Sequence, residues 1–199
     1  MTTFASRSSL ACTFVFLLAA VAASVLQGCA PVIVAGAAGA TMMAVDRRST
    51  AAQVDDGAVE VKVESEAGTR WGNQIHLNVT SYDGYVLVTG EAPSAEVKSE
   101  IARMARTASD RVRNVYDEMV IGPVMDLGAR SNDSYITSKV KARMLDSDVV
   151  RTIYVKVVTE RSVVYLMGIV SRQEGDAAAQ VAATTEGVAR VVKLFEYTN

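Results

Sequence analysis

Residues 75–90 read IHLNVTSYDGYVLVTG, and residues 153–168 read IYVKVVTERSVVYLMG. At an offset of 78, Ile75, Leu77 and Val79 fall on Ile153, Val155 and Val157, while Val86, Val88 and Gly90 fall on Val164, Leu166 and Gly168. Each block places short alternating or fully apolar runs on either side of a turn, Tyr82-Asp83-Gly84 in the first and Glu160-Arg161-Ser162 in the second. That pattern predicts two β-hairpins. A hairpin of this length does not bury its apolar face alone, so each copy needs cover.

Flanking segments supply it. After the first hairpin, Pro93-Ser94-Ala95-Glu96 opens a helix in which Val97, Ile101, Met104 and Ala108 recur at helical spacing. After the second, residues 174–186 carry a smaller face of Ala177, Ala178, Val181 and Ala182. A third apolar segment follows each helix, Val112 to Ile121 and Val188 to Tyr197. Ahead of the hairpins, Val59 and Val63 stand behind Asp55-Asp56, and Ile136, Val140 and Met144 stand behind Asn132-Asp133-Ser134. These polar groups are expected to cap their helices. Neighbouring residues on a helix do not face each other, so Asp55-Asp56 is read as a cap and not as a metal carboxylate pair.

The fold class is therefore α+β: two tandem αββαβ modules, each a three-stranded mixed sheet with two helices on one face. Copies of near 65 residues are marginal alone. Tyr85, Leu87, Val163, Tyr165 and Met167 leave apolar side chains on the sheet faces away from the helices, which predicts that the modules pack together. A single 171-residue domain is the alternative, against which the repeat argues.

The amino-terminal part reads differently. MTTFASRSSLACTFVFLLAAVAASVLQGC has one charge, Arg7, before an uncharged run from Leu10 to Leu26. That length suits a secretory signal core and is short for a spanning helix. Leu26-Gln27-Gly28-Cys29 resembles a bacterial lipobox, which implies cleavage before Cys29, acylation of its sulfur and new amino group, and the lipoprotein processing and sorting machinery as partners. Several acyl chains hold a protein durably, since each buried CH₂ adds about 0.8 kcal/mol. Ala30 to Val45 is small, apolar and glycine-bearing, a flexible tether or a short interfacial segment. The expected boundaries are 1–28 signal peptide, 29–52 acylated cysteine and tether, 53–122 module one, 123–130 hinge and 131–199 module two.

Composition excludes several activities. From Cys29 onward the chain has 19 basic residues against 22 acidic, a net charge of −3, because Arg7 is the only charge removed. This is not the balance of a nucleic-acid-binding protein. Cys12 leaves with the signal and Cys29 is consumed by lipid, so no disulfide or thiol nucleophile remains. With His76 the sole histidine, no zinc cluster of His and Cys is expected. His76 alternates with Ile75 and Leu77 on a strand and is read as solvated or packed and not as a base. No GxSxG, HExxH or phosphate-binding glycine motif is present. No enzyme, cofactor or metal centre is expected.

The helix at 133–146 carries the candidate site. With Tyr135 at the origin, Ile136, Val140 and Met144 lie at about 100°, 140° and 180°, a coherent core face. Tyr135, Ala142 and Leu145 form a second, weaker apolar strip pointing largely away from that core, with Lys139 and Lys141 on its flanks. Arg143 borders the core stripe, its guanidinium expected to reach outward. An aromatic with an aliphatic neighbour and basic flanks suits an anionic phospholipid surface. The matching positions of module one are Ala58, Lys62, Glu64 and Glu66, which lack the aromatic and add acids. The alternative is that Tyr135 and Leu145 pack against module one.

Taken with their order and spacing, Gln53-Val54-Asp55-Asp56, Leu77-Asn78-Val79-Thr80, Val86-Leu87-Val88-Thr89-Gly90, the run from Ser131 to Val140, and Leu166-Met167-Gly168 resemble the dual BON-domain outer-membrane lipoproteins of Gram-negative bacteria. The resemblance runs from about residue 46 to the end. It implies lipid anchoring on the periplasmic side of the outer membrane and maintenance of envelope integrity. It also implies binding of anionic phospholipid of the inner leaflet through the second module. Ala30 after the cysteine fits outer-membrane sorting by the same resemblance. The rival reading is an envelope scaffold that docks onto a protein partner or peptidoglycan, with lipid serving only as anchor.

Overall fold

The computed structural model describes residues 46–198. Cys29 and residues 29–45 of the expected tether lie outside the described residues. The order of elements is α1 (Thr50–Trp71), β1 (His76–Tyr82), β2 (Tyr85–Ala92), α2 (Ala95–Arg106), β3 (Asn114–Asp117), β4 (Val120–Ile121), α3 (Leu127–Leu145), β5 (Lys156–Glu160), β6 (Val163–Val170), α4 (Arg172–Ala183) and β7 (Arg190–Tyr197). This is αββαβ written twice.

In each copy the hairpin is antiparallel, with Val79 opposite Val88 in one and Val157 opposite Leu166 in the other. The last strand returns parallel to the second, as the intervening helix requires. β7 pairs with β6 along eight residues, from Val163↔Arg190 to Val170↔Tyr197. In module one the corresponding strand is interrupted at Glu118-Met119, yet β3 and β4 keep one register against β2. Gly90 and Gly168 sit inside β2 and β6 at φ +117° and +155°, where a Cβ would collide with the backbone oxygen of His76 or Tyr154.

Three apolar clusters hold the fold. Val59, Val63 and Ala67 of α1 and Ile101, Met104 and Ala105 of α2 pack on Val79, Val86 and Val88 of the first sheet. Ile136, Val140 and Met144 of α3 and Ala178 and Ala182 of α4 pack on Val157, Val164 and Leu166 of the second. The third cluster joins the modules: Tyr82 and Leu87 from one sheet meet Val158, Tyr165 and Met167 from the other. The sheet faces away from the helices thus cover each other, as their apolar residues predict.

The helix starts differ from expectation. α1 begins at Thr50 with Ser49 as its cap, inside the segment assigned to the tether. α3 begins at Leu127 with Asp126 accepting from the Ala129 amide at 2.9 Å, inside the segment assigned to the hinge. Asp56 and Asp133 are therefore not caps. Both are buried mid-helix and reach the hairpin turn. Asp56 accepts from the amides of Asp83 and Gly84 at 2.8 and 3.0 Å and from the Ser81 hydroxyl at 2.6 Å. Asp133 accepts from the amides of Arg161 and Ser162 at 2.8 and 2.9 Å. Each turn has positive φ at both central residues, including the non-glycine Arg161 (52°) and Ser162 (60°). Turns of that geometry match the twist of a hairpin but are strained without glycine, and the carboxylate clamp offsets the strain.

Candidate functional site

Along α3 the buried face is Asp133, Ile136, Val140 and Met144. The opposite side carries the candidate residues. Tyr135 is 61% exposed and Leu145 71% exposed, so neither is used against module one. They stand ten residues apart, about 15 Å along the helix axis. Ala142 and Lys141 are exposed between them. Lys139 leans over the Tyr135 ring, its ammonium 4.9 Å from the centroid, and also lies 3.5 Å from Glu186.

Arg143 departs from expectation. Its guanidinium donates to the Val181 carbonyl at 3.0 Å and to the hydroxyls of Thr185 and Thr184 at 2.7 and 3.1 Å. Those groups form the carboxy-terminal end of α4, where free carbonyls and the helix dipole favour a cation. Arg143 therefore ties α3 to α4 while remaining exposed.

Residues outside the predicted strip join it. Beyond α3, Val149 and Ile153 are exposed. Leu145, Ile153 and Lys141 border a cleft of about 380 Å³ that also includes Arg48, Tyr82 and Lys156. Arg48 is already paired with Asp46 at 2.9 Å and Asp56 at 3.0 Å, and Lys156 lies 3.9 Å from Glu60, which leaves Lys141 as the more available cation of that rim. A local sequence signal for Ile153 exists in the apolar run beginning there, but its place beside Leu145 depends on the turn between α3 and β5.

A larger cleft, about 530 Å³, lies between the edges of β1 and β5 and has the opposite character. Glu60, Glu64 and Glu160 line it, with His76, Arg130 and Lys156. Glu64 and Glu60 accept from the amides of Val79 and Ser81 at 2.9 and 2.8 Å, covering the outer edge of β1. Such cover prevents an edge strand from recruiting another chain. A carboxylate-rich wall repels an anion, so this cleft does not suit an anionic head group.

Residues 55–123 and 132–199 each match the BON domain. This chain belongs to the BON-domain family. Among relatives, it is 35% identical over 174 residues to the outer membrane lipoprotein DolP of Haemophilus influenzae, covering 86% of this chain and 90% of that protein. It is 36% identical over 155 residues to a 21 kDa hemolysin of Actinobacillus pleuropneumoniae, covering 77% of this chain and 79% of the other. The carboxy-terminal domain of CdsD, a structural protein of the type III secretion system of Chlamydia trachomatis, aligns with 69% of this chain and 96% of its own at 11% identity and a TM-score of 0.30. With two BON modules and this likeness to DolP over most of its length, the chain is a dual-BON outer-membrane lipoprotein. No helix among the described residues is long and apolar enough to cross a membrane.

Proposed function

We propose that this dual-BON lipoprotein is a non-enzymatic, periplasm-facing component of the outer membrane whose second module binds anionic phospholipid and so helps maintain outer-membrane integrity. Residues 1–28 act as the signal, acylated Cys29 is the anchor, and residues 29–45 link it to the modules. Lipoprotein processing and sorting enzymes install the anchor.

One observation carries the lipid reading: Tyr135 and Leu145 stand exposed on the same side of α3, with Lys139 and Lys141 nearby. The rings and chains enter the interface while the ammonium groups meet head-group phosphates, each cation near the surface contributing about 1 kcal/mol. Ile153, Lys156 and Lys141 extend the contact beyond the helix. Arg143 adds less to it, because Nη1 and Nη2 already donate to the end of α4.

Amide-shift mapping of fragment 46–199 titrated with anionic lipid micelles tests this reading. The expected shifts concentrate on residues 135–156. Shifts confined to α1 and α2, or absent altogether while a protein partner is recovered by crosslinking, favour the scaffold reading instead.

A further inference from the structure

His76 faces Glu91 across the β1–β2 hairpin, and Glu160, 84 positions beyond His76, joins them where the modules dock. His76 Nδ1 lies 3.3 Å from Glu91 Oε2 and 3.7 Å from Glu160 Oε1. The three donor atoms all fall within 4.8 Å of one another. Glu91 is wholly buried and Glu160 is 5% exposed. Nevertheless His76 Nδ1 and Glu160 Oε1 are both buried without a hydrogen-bond partner. Buried polar atoms without a partner are rare, and a water or an ion is the usual reason for one.

Glu91 is only partly neutralised. Arg161 donates to its Oε1 at 3.1 Å, and the Met125 amide donates to Oε2 at 3.2 Å. Glu160 Oε1 has no hydrogen-bond partner.

The repeat supplies an internal comparison. Under the hairpin offset, His76, Glu91 and Glu160 correspond to Tyr154, Ile169 and Tyr82. In that opposite corner the cations are built in. Arg47 lies 3.9 Å from the Tyr154 ring centroid and donates to the Ile169 carbonyl at 2.8 Å, while Arg48 lies 4.1 Å from the Tyr82 ring centroid. At the helix offset of 77, Arg47-Arg48 become Val124-Met125. In the opposite corner both arginines pair with carboxylates, whereas here Arg161 reaches Glu91 and no cation reaches Glu160 Oε1.

We propose that His76 Nδ1, Glu91 Oε2 and Glu160 Oε1 bind one first-row divalent transition cation across the junction of the two modules. One imidazole and two carboxylates are the nitrogen and oxygen donors such ions accept. A tetrahedral zinc with bonds of about 2.0–2.2 Å sets its donors roughly 3.3–3.6 Å apart, close to two separations already present. The 530 Å³ cleft that His76 and Glu160 line gives the ion a route in and leaves a fourth position for water. The hairpin register pairs His76 with Glu91, but no local spacing announces Glu160, which arrives from the second module.

The test uses the full chain, produced without a histidine tag, stripped with chelator and held in detergent micelles. Zn²⁺ is titrated by calorimetry while the imidazole signals of the sole histidine are followed by NMR. The proposal expects one equivalent bound with displacement of the His76 ring resonances. It also expects at least ~30-fold weaker binding in Glu160→Gln, a substitution that keeps the shape and lets the fold be verified by circular dichroism. Unchanged ring resonances overturn it, and so does binding of equal strength in Glu160→Gln, which would assign the ion to other ligands.

Discussion

Asp56 and Asp133 show how one side chain links a helix to a turn. Each carboxylate accepts two consecutive turn amides, those of Asp83 and Gly84 or of Arg161 and Ser162. A hydrogen bond to a charged group contributes about 1.5–3 kcal/mol. Asp133→Ala should therefore lower stability by roughly 2–4 kcal/mol, more than the same change at an exposed helix position; urea denaturation measures it. Glu160 gives a pH-dependent expectation. Its carboxyl is raised from 4.5 to about 7, first by burial and then by Glu91 and Asp133, with Thr89 and Arg161 opposing. A raised carboxyl favours the folded state fully below the unfolded value and loses that contribution as pH rises through the folded one. In chelated buffer Glu160→Gln should match the wild type near pH 5 and exceed it near pH 8 by on the order of 1–3 kcal/mol. Denaturation curves at the two pH values decide this.

Within α3, neighbouring basic residues have unlike roles. Arg143 binds the end of α4, whereas Lys141 projects at the rim of a cleft. Arg143→Ala should cost about 1–2 kcal/mol of stability through the lost cap, with little effect on vesicle binding in the folded fraction. Lys141→Ala should do the reverse, and thermal melts paired with vesicle binding separate the two. The sequence made the helix legible through Ile136, Val140 and Met144, whose spacing defines the core face without reference to the rest of the chain. It also placed Tyr135 and Leu145 on the outward face. The role of Asp133 was not legible, because its partners lie 28 and 29 residues downstream and become neighbours only when α3 packs on the hairpin. The tie from Arg143 to α4 was hidden for the same reason: its acceptors lie about 40 residues away, and helical angles about one axis say nothing of a second helix.

At the scale of the whole molecule, the two sheets share one apolar layer. Leu87 and Met167 are wholly buried in it, while Arg161–Glu91 and Arg113–Glu196 join the modules with ion pairs of 3.1 and 2.6 Å. The exposed Arg113–Glu196 pair contributes little, so the buried layer of Leu87, Met167 and Tyr165 is the main source of cooperativity between the modules. Truncating a buried leucine costs about 2–5 kcal/mol. In the wild type, fluorescence of Trp71, which packs against the first core, should report the same transition as far-ultraviolet circular dichroism. In a Leu87→Ala/Met167→Ala double variant the two transitions should separate. This mutual cover follows from the outward-facing residues of the repeat, which is why the sequence foretold it. The His76–Glu91–Glu160 corner depends on how the docked sheets are rotated, which no repeat offset encodes. Docking through the sheets leaves the outer face of α3 free, and the proposed function depends on that face. Co-sedimentation of fragment 46–199 with vesicles rich in anionic phospholipid measures its contribution most directly. The account predicts that a Tyr135→Ala/Lys139→Ala/Leu145→Ala variant, folded as the wild type, loses most of its binding; retention equal to the wild type would contradict it.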